Sequence, residues 1–574
     1  MNTGLGAVES RPDAGQAGKG KVIRLWLGLI VLAGLAFWFA YDLVGTLSFA
    51  VQSWGLAGIA DAVLAYRLGE ALVVLPLAAV LLVAGRDTGF LPRWHWVMWT
   101  GALLSGVAYL GLAGRVAWAP LALLLAGLGL LLPWWRLVLS SGCAARAAAW
   151  TGLAGLLILH LSGYAAGFLF HGYTVVPYPA AFSRPAAGRD ERWQQDLRYL
   201  SSELVRLHKN AFHTLPEDAY RAQNERLEAA IPGLTDWQIA VEMMRAVASV
   251  GDAHTEFSVP GSLPRHVIPV DLRWYGDGLF VHGISEVYPQ ALGARVVKLG
   301  SLTADEAYQA VLPLISHEND SWARLKSSHY LNVTEILEAV GIVPEVGAVA
   351  FTLSDDSGVE FTITVAPLDP GQKVDYLSAR TRPAFYLSRP GEPFWYEYRA
   401  DSRSLYFRYA ACIDPLGFRA TLAEMWQLAD EHPADRLIVD LRDNGGGNSL
   451  QFERWFIPGL QARPALDTPD RLFVLIDKGT FSSASDNAAY MRTHSRATFL
   501  GEPTGGKPNS YGEVRSFKLP NSKARVFYST NYFTTLAGSD PLSIEPDIFI
   551  VPRAAEVFAG RDPVLEYILP EEGW

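Results

Sequence analysis

Arg436-Leu-Ile-Val-Asp-Leu-Arg-Asp-Asn-Gly-Gly-Gly447, followed by Leu472-Phe-Val-Leu-Ile476 and Gly479-Thr-Phe-Ser-Ser-Ala-Ser-Asp486, decides how this chain is read. Two apolar runs of strand length each lead into a turn, the first through a glycine triplet and the second into a serine-rich segment. Residues 436–442 read as a buried strand, and the glycines after it allow a sharp turn that presents backbone N–H groups. Ala484–Arg492 reads as a helix, so serines sit at a strand-to-helix junction, where free N–H groups and the helix dipole favour negative charge. A third segment, Gly501-Glu-Pro-Thr-Gly-Gly-Lys507, adds a lysine. Together the three supply oxyanion donors, a nucleophile and a base, the needs of acyl transfer.

In this order the segments resemble the C-terminal processing peptidases, or tail-specific proteases, and their tricorn-core relatives. That family's pattern is a strand ending in Asp-Leu-Arg-x-Asn-x-Gly-Gly, then Ser-Ala-Ser-Glu, then Gly-Glu-x-Thr-x-Gly-Lys. The matches are Asp440 to Gly447, Ser483 to Asp486 and Gly501 to Lys507, with Ile544-Glu-Pro-Asp547 similar to the closing Pro-Asp signature. The resemblance implies a nucleophile at Ser483 and an oxyanion hole from Ala484 and Gly445 or Gly446. It offers two bases. Lys507 corresponds to the lysine of the bacterial members, and His254, in Gly-Asp-Ala-His-Thr255, to the histidine of the tricorn branch. Three departures stand out: Asp486 replaces a glutamate, Gly-Gly-Lys-Pro replaces an aromatic-Gly-Lys-Gly sequence, and Ala253 replaces the serine before the histidine. Chemistry favours His254, because an unperturbed imidazole already suits proton transfer near neutral pH, whereas Lys507 needs burial to be neutral. Glu545, Glu513 and Asp252 are the candidate orienting carboxylates, and the sequence does not choose among them.

Around this centre the chain divides by composition. Its mean hydropathy of +0.14 is high for an enzyme of 574 residues, and the excess lies in the first third. Val22–Tyr41, Gly69–Ala84, Trp96–Gly114, Ala117–Leu132 and Ala147–Phe170 are apolar runs of spanning or near-spanning length. They predict about five transmembrane helices within residues 22–172, after a cytoplasmic tail over 1–21. The flanking lysines and arginines, eight against two, put the N-terminus in the cytoplasm and the enzyme domain outside it. Residues 173–189 form a proline-containing linker, and 190–258 a helical element with apolar positions recurring every three or four residues. Residues 259–370 resemble a degenerate PDZ-like module, lacking a carboxylate-binding Gly-Leu-Gly-Phe loop. Residues 371–574 form the catalytic α/β core, crotonase-like (ββα) by the resemblance, in which Tyr406, Phe407 and Tyr409 are core.

The expected partners are a protein or peptide substrate and the lipid bilayer. With a formal charge of −10 and no basic stripe, zinc spacing, P-loop or dinucleotide fingerprint, nucleic acid, metal and cofactor are not expected. The two cysteines, Cys143 and Cys412, fall in different regions, so the enzyme domain has no internal disulfide. The expected activity is that of a membrane-anchored serine endopeptidase. The alternative is a catalytically silent protein of the same fold that binds a peptide or hydrophobic ligand.

Overall fold

The computed structural model describes residue 182, residues 186–447 and residues 451–570. The tail and the five predicted spans lie outside the described residues. Among the described residues no helix is long and apolar enough to cross a membrane.

Three helices come first: α1 (Arg189–Leu207), α2 (Glu217–Ala230) and α3 (Asp236–Ala248). In α1 the buried Trp193, Leu197, Leu200 and Leu204 recur at intervals of four, three and four, one stripe of a 3.6-residue helix. A reciprocal box opens α3: Thr235 Oγ1 accepts from the Gln238 amide at 3.2 Å, and Gln238 Oε1 accepts from the Thr235 amide at 3.0 Å. After α3 the chain turns at Gly251, whose φ of +77° suits glycine. A β-carbon there would come within 2.6 Å of Thr214 Oγ1. That turn launches the loop bearing Asp252 and His254, which leads into the short strand β1 (Phe257–Ser258).

A seven-stranded sheet follows, β2 (Val270–Tyr275), β3 (Gly278–Ser285), β4 (Arg295–Leu299), β5 (Leu302–Thr303), β6 (Val349–Ser354), β7 (Glu360–Val365) and β8 (Tyr376–Ser378), all paired antiparallel. Helix α4 (Asp320–Tyr330) packs against β2. The six-stranded sheet contains β9 (Phe394–Arg399), β10 (Ser404–Tyr409), β11 (Arg436–Asp440), β12 (Leu472–Ile476), β13 (Thr498–Gly501) and a short final strand (Ile548–Phe549), in the spatial order final strand, 13, 12, 11, 10, 9. Only β9 is antiparallel to its neighbour. Parallel strands are buried on both faces, and successive residues of β11 divide accordingly. Leu437 and Val439 join the core beneath α5 (Pro415–Glu431), while Ile438 faces Val564, Leu565 and Ile568 near the C-terminus. Tyr406, Phe407 and Tyr409 are fully buried. A long hairpin of β14 (Asn509–Lys518) and β15 (Arg525–Thr534) carries β1 on its edge, pairing Phe257 with Val526.

Candidate active site

The site forms beyond the carboxyl ends of β11 and β12. After β11, Asn444 Nδ2 donates to the Tyr409 carbonyl at 2.7 Å, and its Oδ1 accepts from the Gly446 amide at 2.9 Å. After β12, Thr480 Oγ1 donates to the Leu441 carbonyl at 3.0 Å and the Phe481 amide to the Asn444 carbonyl at 2.9 Å, locking the two turns together. Helix α6 (Ser483–His494) starts immediately afterwards. Ser482 caps it with φ +53° and ψ −131°, a conformation that non-glycine residues rarely adopt and that persists only where the surroundings impose it.

Ser482 Oγ lies 3.0 Å from His254 Nε2, across 228 residues of sequence. Expectation and structure differ here by one residue. The hydroxyl of Ser483 instead donates to the Gly447 carbonyl at 2.8 Å, because the strained cap turns Ser482 toward the histidine and leaves Ser483 on the first helical turn beside the glycine loop. Ser483, expected as the nucleophile, therefore does not face His254, and Ser482 does.

The amides left free beside Ser482 also differ from those expected. The Ala484 amide donates to the Phe481 carbonyl at 3.1 Å and the Gly446 amide to Asn444 Oδ1, so both are engaged. Among the described residues the amides of Gly445 and Ser483 have no acceptor, the latter because the first helical N–H has no intrahelical partner. A β-carbon on Gly446 would lie 2.9 Å from the Ser483 nitrogen, so the glycine loop and helix start are in close approach.

His254 is held from several sides. Its amide donates to Asp252 Oδ1 at 2.9 Å, and its ring lies 4.7 Å from that of Phe481, which stacks on Trp322 at 3.8 Å. Asp252 is fully buried and accepts at Oδ2 from His208 Nε2 (3.0 Å), Thr255 Oγ1 (2.6 Å) and Ser529 Oγ (2.6 Å). The Asn210 amide donates to His208 Nδ1, so the His208 proton is on Nε2, facing the carboxylate. Burial alone would raise the Asp252 pKa, but the bonds from His208 and the contact with His254 outweigh it and hold the carboxyl well below its usual range. For His254, burial pushes the pKa down and Asp252 pulls it up, followed by Glu318 and Asp486, with a net rise above the ordinary imidazole value. Its Nδ1 is buried without a hydrogen bond, 3.7 Å from Asp252 Oδ1. Glu318 lies against the same pair, pushed up to about 7 by burial and by the Asp252 charge.

The other candidates fall elsewhere. Lys507 Nζ pairs with Asp540 at 2.9 Å, and no described hydrogen bond joins it to a serine. Its loop is held by Asn319 Nδ2, which donates to the carbonyls of Thr504 and Gly505. Glu545 is exposed and offers only its backbone carbonyl, to Arg492, while Glu513 is an exposed residue of β14. Both are corrected as orienting carboxylates, since the acids beside His254 are Asp252 and Glu318. Asp547 of the Pro-Asp signature is structural, accepting from the Phe499 amide and pairing with Arg492. Glu318, His208 and Ser529 carried no sequence signal; each sits in an unremarkable local context and reaches the site only through the fold.

Residues 459–550 match the model of Peptidase family S41. No curated protein matches. Among solved structures, mature CPAF complexed with lactacystin is similar at 13% identity, covering 66% of this chain and 97% of its own, with a TM-score of 0.47. The tricorn protease is similar at 13% identity, over 67% of this chain and 37% of its own, with a TM-score of 0.31. A peptidase from Parabacteroides merdae is similar at 14% identity, over 66% and 96%, with a TM-score of 0.33. These likenesses are too distant to carry a residue's role. The family match falls on the segment that contains the strained serine and its helix, and the chain is a serine-type peptidase.

Proposed function

We propose that the chain is a serine endopeptidase in which Ser482 is the nucleophile, His254 the general base and Asp252 the carboxylate that orients it. The observation that carries this reading is the 3.0 Å contact between Ser482 Oγ and His254 Nε2 at a strained strand-to-helix cap. Ser482 Oγ attacks the scissile carbonyl as its proton passes to His254 Nε2. The oxyanion is received by the amides of Gly445 and Ser483, donors of a kind that contribute about 3 kcal/mol each to the transition state. The imidazolium then protonates the leaving amine, and a water deprotonated by the same nitrogen releases the acyl group from Ser482. Lys507 takes no part in proton transfer in this scheme.

The apolar runs in residues 22–172 support the further proposal that these residues anchor the enzyme in a membrane, and the Lys and Arg bias that the peptidase faces away from the cytoplasm. Substrates on this reading are proteins or peptides reaching that side.

Labelling of the full-length chain with a fluorophosphonate probe, mapped by mass spectrometry, tests the centre. Wild type is expected to carry the adduct on Ser482, Ser482→Ala to lose it, and Ser483→Ala to keep it. An adduct on Ser483, or label lost in Lys507→Ala and kept in His254→Ala, would overturn the assignment. A folded wild type that neither labels nor cleaves would favour the silent binding protein.

A further inference from the structure

Behind the base lies a group of ligand atoms that proton transfer does not use. Both carboxylate oxygens of Glu318 and the Nδ1 of His254 are shut off from solvent and have no hydrogen-bond partner. An orphaned buried carboxyl is costly, and two orphaned groups in one place call for an explanation. One ligand atom each from Asp252, His254 and Glu318 lies within 4.8 Å of the others. The donor set, one imidazole nitrogen and two carboxylate oxygens, is one that zinc accepts while keeping a fourth position for water, and the nitrogen disfavours magnesium and calcium.

We propose that Asp252, His254 and Glu318 form a binding site for a zinc-type divalent cation that switches the peptidase off. The proposal rests on the reading of His254 as the base. With the metal on Nδ1, that nitrogen cannot carry the neutral ring's single proton, which moves from Nδ1 to Nε2 by exchange with solvent and with no net release. Nε2 then faces Ser482 Oγ as a donor, so the hydroxyl has no acceptor for its proton. Glu318 is the residue that distinguishes the two states. It touches no reacting atom, and it completes the cation's ligand set. His208, Thr255 and Ser529 already hold the far oxygen of Asp252 and leave Oδ1 toward His254.

Zinc binding is measured directly on the full-length chain by isothermal titration calorimetry with Zn²⁺, in wild type, Ser482→Ala, Glu318→Gln and His254→Ala. Wild type and Ser482→Ala are expected to share a site that Glu318→Gln weakens at least tenfold and His254→Ala removes, while Mg²⁺ gives no heat. Fluorophosphonate labelling of wild type is expected to fall as that site fills, and Glu318→Gln to label at zinc concentrations that silence wild type. A zinc-dependent rise in melting temperature, present in Ser482→Ala and lost in Glu318→Gln, separates site loss from misfolding. Absence of zinc binding, or binding indifferent to both Glu318→Gln and His254→Ala, would overturn the proposal. Because the titration needs no activity, a Ser482→Ala variant that still cleaves peptides would instead overturn the catalytic assignment and leave the metal result standing.

Discussion

Ser482 and Ser483 are neighbours with opposite surroundings, and the difference is a matter of backbone rather than side-chain chemistry. At φ +53° and ψ −131° the Ser482 hydroxyl points to His254, while Ser483 has helical geometry and bonds to the Gly447 carbonyl. Ser482→Ala is therefore expected to abolish peptide cleavage, and Ser483→Ala to forfeit one hydrogen bond, about 1 kcal/mol of stability, with activity within a few-fold of wild type. His254→Ala should lower kcat by about 10²- to 10⁴-fold, the usual contribution of a positioned base. The pH profile follows from the same residue. As the proposed base, His254 works only when neutral, and its pKa is raised, net of burial, by Asp252. The acid limb of kcat/KM is accordingly expected above the ordinary imidazole value of about 6.5, and Asp252→Asn should move it down. In a pH series of initial rates, a limb at or below that value in wild type would contradict the assignment.

At the scale of elements, strand and helix propensities were legible and the turns between them were not. Ser404–Tyr409 and Leu472–Ile476 are strands with the bounds that their apolar runs predict. The run at 436–442 yields a strand only to Asp440, because the Arg442 side chain turns back onto the Asp440 carboxylate at 2.6 Å and across to Asp562. Periodicity does not register such a diversion. It also does not register the close approach of the glycine loop to the helix start. Gly446 has φ +102°, and a β-carbon there would meet Ser482 Cβ at 2.8 Å. Gly446→Ala is expected to displace the oxyanion loop, cutting kcat by about 10²-fold or more, as for loss of one oxyanion donor. Stability should fall by about 1–3 kcal/mol from backbone strain. Paired steady-state kinetics and urea melts check both, and an unchanged kcat would show that the loop tolerates the shift.

For the molecule as a whole, two carboxylates, Asp562 and the buried Asp252, hold distant parts together. Asp562, near the C-terminus, takes a bidentate contact from Arg442 at 2.7 and 2.8 Å, and Arg442 is almost fully buried. Asp562→Ala leaves that guanidinium short of a partner and is expected to lower stability by about 3–5 kcal/mol, visible as a large fall in melting temperature. Asp252 joins the end of α1, through His208, to β15, through Ser529. Its pKa is depressed in the folded state, so its contribution is fully present above the unfolded value of about 3.9 and is lost as pH falls below it. Asp252→Ala should therefore destabilise strongly at pH 7 and less at pH 3, measured by thermal melts at each pH. An equal loss at both would point to packing rather than charge.

The residues alone determined that this is a serine peptidase core with an Asp-Leu-Arg strand, a glycine loop, a serine-bearing helix start and a histidine base candidate, because each of those is a local pattern of residue types and apolar period. Tertiary structure decided which of two adjacent serines meets the histidine, that Lys507 pairs with Asp540, and that Asp252 and Glu318 rather than Glu545 or Glu513 are the acids beside His254. The physical reason is that these choices depend on the direction of one strained backbone turn and on contacts across 228 residues of chain, and neither leaves a trace in local composition.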